Sequence, residues 1–149
     1  MTESLTDALT ALCDEHALTA LYVFGSRAAE VAAHVTGEAA HVTGEAVYAA
    51  QPASDVDIGV LPARAGRLSA KARVRLSQQL ESLLGVERVD LVVLPEAEAF
   101  LAADVVRGEL LAATDLDAEA ESQLYYLRRA ADLAPFLREQ WHDRVGSEL

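Results

Sequence analysis

Three aspartates have the type and spacing of a phosphoryl-transfer site. Asp55 and Asp57 stand in Ser54-Asp55-Val56-Asp57-Ile58-Gly59-Val60-Leu61, and Asp90 stands in Val89-Asp90-Leu91-Val92-Val93-Leu94. Residues two apart on a strand point to one side, so Asp55 and Asp57 project together. Like charges held that close raise each other's pKa unless a cation lies between them. Carboxylate oxygens are the hard ligands that Mg2+ prefers, and Mg2+ commonly arrives with substrate phosphates. Taken alone, the first pair also reads as a turn followed by a solvated strand position. Asp90 sharpens it, because a charge inside an apolar run must be paired or ligated. A third run, Ala20 to Phe24, stops at Gly25-Ser26. Glycine there lets backbone approach a phosphate, and serine adds a hydroxyl donor. Three carboxylates on neighbouring strands can hold two divalent ions about 4 Å apart, which clamps both sides of a displacement at phosphorus. With one cysteine and four histidines, there is little material for a Ser-His-Asp or cysteine nucleophile.

The elements that must position these residues are legible from periodicity. Leu5, Leu9, Leu12 and His16 recur at helical spacing behind a Ser4/Asp7 capping pair. His16 reads as a surface or dipole-complementing histidine. Ser69 reads as the N-cap of a helix with Ala72, Leu76, Leu80, Leu83 and Leu84 inside and Gly85 at its end. Lys71, Arg73 and Arg75 lie outside, as a solvated face or a match for an acidic partner. A short helix from about Glu96 to Arg107 ends at Gly108, and Glu109 to Ala113 is a final short strand or a loop. Residues 117–145 form a C-terminal helical segment with Leu124, Leu127, Ala131, Ala134 and Trp141 on one face and Leu137 close by. Pro135 should kink or divide it, since proline removes an amide and crowds the preceding turn. Tyr125, Tyr126 and Trp141 read as packing residues, with a partner interface as the other reading.

Ala-Ala-His-Val-Thr-Gly-Glu is written twice, at residues 32–38 and 39–45. Two copies cannot make a solenoid. They read as a duplicated insertion in a surface loop covering residues 31–52. His34 and His41 occupy equivalent places, with no other feature pointing to a metal.

The bulk numbers bound the partners. The 149 residues fit a single domain, and 52% hydrophobic content excludes disorder. A net charge of -12 excludes bulk electrostatic grip on nucleic acid. A lone Cys13 permits no internal disulfide and points to a reducing, cytoplasmic setting. An acidic N-terminal stretch does not read as a signal peptide, and the short apolar runs do not span a membrane.

Tyr22-Val23-Phe24-Gly25-Ser26-Arg27-Ala28, Ser54-Asp55-Val56-Asp57-Ile58 and Val89-Asp90-Leu91-Val92 together resemble the minimal nucleotidyltransferases of the DNA polymerase β superfamily. More narrowly, they resemble the antitoxin partners of HEPN-type toxins. The stretch from Arg107-Gly108-Glu109-Leu110-Leu111 through Tyr125-Tyr126-Leu127-Arg128-Arg129 is similar to that subgroup more loosely. The resemblance covers most of the chain apart from the repeat. It implies an α/β (α+β) fold, a small mixed β-sheet flanked by helices with a C-terminal helical segment. It implies that Gly25, Ser26 and Arg27 bind the nucleotide, while Asp55, Asp57 and Asp90 are the catalytic acids and hold two Mg2+ ions. Asp90 would also act as base toward the incoming hydroxyl. ATP would be the substrate, with AMP passed to a tyrosine hydroxyl of a HEPN-type toxin, neutralising it as in a type VII-like pair. Two departures stand out: the Arg-Gly pair usual near Ala29 and Glu30 is absent, and Ser26 and Asp55 are unusually far apart. Transfer to a small-molecule hydroxyl, or neutralisation by binding alone, are the competing readings.

Overall fold

Element boundaries follow local chemistry in the computed structural model, which describes residues 4–37, 55–63 and 66–148. Helix α1 is Leu5–Glu15, and the Ser4 hydroxyl accepts from the Asp7 amide at 3.1 Å, as the capping pair predicts. Strand β1 is Leu18–Phe24, helix α2 Ala28–Thr36 and strand β2 Val56–Pro62. Helix α3 is Ala70–Leu84, started by Ser69 accepting from the Ala72 amide at 3.1 Å and ended at Gly85. Strand β3 is Val89–Val93, and a single 3-10 turn covers Leu94–Glu96. Helix α4 is Ala99–Arg107, its first amides received by the Glu98 carboxylate. Strand β4 is Glu109–Ala113, and helix α5 is Leu116–Glu148.

The four strands form one mixed sheet in the order β3-β2-β1-β4. β1 pairs antiparallel with β2 and β4, whereas β2 and β3 run parallel, joined by α3 as the crossover. Both faces are covered. Leu21 and Val23 face a core with Leu9, Leu12, Val31, Leu76 and Leu80 from α1, α2 and α3. Ala20, Tyr22 and Phe24 face a second core with Ala102, Val105, Val106 and Tyr126 from α4 and α5. Burial on both sides explains why β1 reads as an unbroken apolar run instead of an alternating one.

Three expectations are corrected. The loop predicted for residues 31–52 begins as helix, because α2 runs to Thr36. Val31 and Val35, one turn apart, bury on that helix, so the first repeat copy is partly structural. The second copy and His41 lie outside the described residues. The inner face of α5 is shifted from the expected stripe: Leu127 packs against the second core, but Leu124 is 62% exposed, whereas Glu119, Tyr126 and Ala130 are buried. Tyr125, expected to pack, is 58% exposed. Pro135 does not divide the helix, which continues through it along an exposed stretch. Glu109–Ala113, left between strand and loop, is a strand because Ala20 to Val23 supply it with a ladder. Among the described residues no helix is long and apolar enough to cross a membrane.

Candidate active site

The register of the sheet brings the predicted acids to one end of its strands. In the β1–β2 pair Asp57 stands opposite Phe24, and in the β2–β3 pair it stands opposite Asp90. Residues opposite each other in adjacent strands share a face, so Asp57 and Asp90 are side by side. Asp55 lies just ahead of β2. Folding raises the Asp57 carboxyl above its usual range. Burial is the leading cause, followed by the charges of Asp90 and Asp55. Electrostatically, the three acids therefore meet at Asp57. Asp55 also has Arg88 nearby, with Nε 4.0 Å from Oδ2, but Arg88 is 78% exposed and its pull is screened by solvent.

Gly25 closes this end. Its φ of 80° lies in the left-handed region, and a Cβ there would collide with the Asp57 carboxylate. Only glycine permits both the turn and the approach. The strand–glycine–helix sequence thus seats the Asp57 side chain directly against the loop that ends β1.

Gly25 and Ser26 also line a cavity of about 550 Å3, together with Phe24, Ala28, Ala29, Asp104, Arg107, Gly108 and Glu109. Arg27 is placed differently from its neighbours. Its side chain is 3% exposed and bonded to Glu30, three residues on. The loop therefore turns its glycine and serine toward the cavity and its arginine into the protein. Asp104, Arg107 and Glu109 were not singled out as site residues from the sequence. Their signal was the Arg107-Gly108 pair at the end of a helix, but only the pairing of Glu109 with Val23 places them beside the loop.

The donor set suits an oxygen-seeking dication, and the like charges raising Asp57 are what such an ion relieves. Among the described residues no three His, Cys, Asp or Glu side chains already stand together as a metal cage. An open arrangement is compatible with Mg2+, which is usually bound by one or two carboxylates plus waters and substrate phosphates.

Other candidate groups are structural. Burial, aided by Asp14, pushes the Cys13 thiol up to about 12, so the lone cysteine is no thiolate nucleophile. His16 caps α1, with Nε2 2.7 Å from Gln79 Oε1. The Tyr22 hydroxyl donates to Glu119 Oε1 at 2.5 Å in the core between sheet and α5. Gln123 Nε2 donates to the same oxygen at 2.9 Å. A second cavity, of about 460 Å3, lies at the opposite end of β2 between Leu61, Pro62 and Pro95 and the α5 residues Tyr125, Tyr126 and Arg129.

The family model described as polymerase beta, nucleotidyltransferase, matches residues 7–117. Among solved structures, the chain is similar to a mutant form of the toxin–antitoxin MntA–HpeT, at 24% identity and a TM-score of 0.65 over 94% of this chain and 98% of that one. A toxin–antitoxin structure with AMP-PNP matches at 24% identity and a TM-score of 0.61, over 94% and 98% of the two chains. A tri-AMPylated Shewanella oneidensis HEPN toxin in complex with its MNT antitoxin matches at 25% identity and a TM-score of 0.52, covering 92% of this chain and 96% of that one. No curated protein sequence matches the chain. At these identities the likenesses bear on the fold.

Proposed function

Because this chain belongs to the polymerase β nucleotidyltransferase family, we propose that it transfers AMP from ATP to a tyrosine hydroxyl of a cognate HEPN-type toxin. It thereby acts as the antitoxin of a type VII-like pair in the cytoplasm. The observation that carries this reading is the seating of Asp57 beside Asp90 and against Gly25 at one end of the sheet. Further support comes from the similar structures, which include a tri-AMPylated toxin and a complex with AMP-PNP. Leu124, Tyr125, Leu133, Phe136 and Leu137 are exposed on α5, which suits a protein that works bound to another.

In this mechanism Gly25 and Ser26 cradle the triphosphate through backbone amides and the serine hydroxyl. Asp55, Asp57 and Asp90 would hold the Mg2+ that accompanies ATP; when bound, such ions neutralise charge on the phosphates and lower the barrier to attack. Asp90, on the edge strand, takes the proton of the attacking tyrosine hydroxyl. A new bond forms between that oxygen and the α-phosphorus, the bond from the α-phosphorus to the bridging oxygen breaks, and pyrophosphate leaves. Catalysis is positioning and electrostatics, with no covalent enzyme intermediate.

The test is co-purification with the toxin, addition of ATP and Mg2+, and intact-mass measurement of the toxin. An AMP-sized increment is expected, and Asp57→Asn should abolish it. Normal transfer by that variant would sink the role given to the acids. A second reading is neutralisation by binding alone. It is favoured by the burial of Arg27. Toxin that stays unmodified yet silenced, with or without the three acids, would establish it in place of the first.

A further inference from the structure

The loop that ends β1 presents a glycine and a serine to the cavity but withdraws its own cation. Arg27 is buried and bonded to Glu30. A triphosphate carries several negative charges; the Mg2+ that accompanies it would offset part of them, and backbone amides with one hydroxyl leave the rest without a cationic side chain from this loop. Among the described residues lining the Gly25–Ser26 cavity, one is cationic: Arg107.

Two features place it there. Arg107 is the last residue of α4, and Gly108 follows it at close quarters with β1, where a Cβ would collide with the Val23 carbonyl oxygen and crowd Phe24. Glycine at 108 thus lets the end of α4 press against the end of β1, and β4 then departs in register with Glu109 opposite Val23. The arginine is pinned from both sides beside the Gly25 turn. It is exposed, and it forms no ion pair among the described residues although Asp104 and Glu109 line the same cavity. It also sits on the face of the sheet that carries Asp57, since Phe24 is opposite Asp57 and packs in the core shared with α4.

We infer that Arg107 is the triphosphate-binding cation of this site, reaching from the end of α4 across the cavity to phosphate held at Gly25-Ser26. The inference rests on the nucleotidyl-transfer reading and deepens it. Its guanidinium offers a planar fork of donors matched to phosphate oxygens. Without it the remaining charged groups among the described residues of the cavity wall, Asp104 and Glu109, are both acids that repel the ligand.

Titration calorimetry on the full chain tests this, with ATP and AMP as ligands in Mg2+. Wild type should prefer ATP. Arg107→Ala should weaken ATP binding by about tenfold or more while changing AMP binding little, and Arg107→Lys should restore part of the difference. Melting temperatures of the three proteins should agree, because the side chain is exposed. ATP binding unchanged in Arg107→Ala, beside a wild type that binds ATP, overturns the role of Arg107 and leaves the nucleotidyltransferase reading standing. Equal weakening for ATP and AMP also overturns it, since that marks a general disturbance of the pocket. A wild type that binds no ATP removes both.

Discussion

Two sets of acids occupy the same face of one sheet and live under opposite conditions. Glu119 is buried, yet it accepts from the Tyr22 hydroxyl and from Gln123. Its charge is held by donors, and burial in turn lifts the Tyr22 phenol well above its usual value. Asp57 is less buried, but its neighbours at its end of the sheet are Asp90 and Asp55. Under the proposed mechanism, the difference separates structural from functional acidity. An acid supplied with donors is finished when the chain folds, whereas one supplied with other acids is completed by something that arrives later.

Substitution at each site should draw that contrast out. The largest effect expected is on transfer: Asp57→Asn should lower AMP transfer to the toxin by about a hundredfold or more, while Glu119→Ala leaves the rate of folded protein unchanged. Quenched-flow or endpoint mass spectrometry of the toxin measures both. Equal losses would erase the distinction. Next in size is stability. Glu119→Ala strands a buried tyrosine hydroxyl and should cost about 1–3 kcal/mol in urea unfolding. A loss within error of zero would show that water replaces the carboxylate at no cost.

The smallest effect has the opposite sign. A carboxyl whose pKa is raised by folding contributes stability that is fully present below the unfolded value and is lost as pH rises through the folded one. Ionisation of Asp57 as pH rises therefore opposes folding, and Asp57→Asn should melt slightly higher than wild type at neutral pH. The gain should fade as pH is lowered toward about pH 4. Melting curves across that range decide it, and a variant less stable at neutral pH would mean that Asp57 has partners beyond its fellow acids.

The sequence carried the acids and most element boundaries because both depend on local pattern. Ser4, Ser69 and Gly85 mark helix ends by chemistry within a few residues, and each does so in the structure. Asp57 and Asp90 stand out because they interrupt apolar runs, and Asp55 because it stands two residues ahead of Asp57. What escaped was decided at long range. The inner face of α5 contains Glu119, a charge that no reading of hydrophobic period would place in a core. It is tolerated because Tyr22, far away in the sequence, donates to it. Helix α2 was hidden by a repeat whose composition suggested an insertion, although Val31 and Val35 have helical spacing. The orientation of Arg27 was equally illegible, since its neighbours Gly25 and Ser26 turn the other way.

One consequence of the long helix is kinetic. Past Ala130 the core-facing stripe of α5 continues as Leu133 and Leu137, which stay 41% and 49% exposed, and Pro135 has no amide to contribute. From Pro135 to Gln140 every residue is exposed, and a stretch of helix that leans mainly on its own hydrogen bonds is marginal in water. Hydrogen–deuterium exchange should show slow amides from Glu119 to Ala130 and fast ones beyond, a step within a single helix. If the toxin lies along that stripe, the fast segment should slow on complex formation, so deuterium uptake would map the footprint of the partner residue by residue.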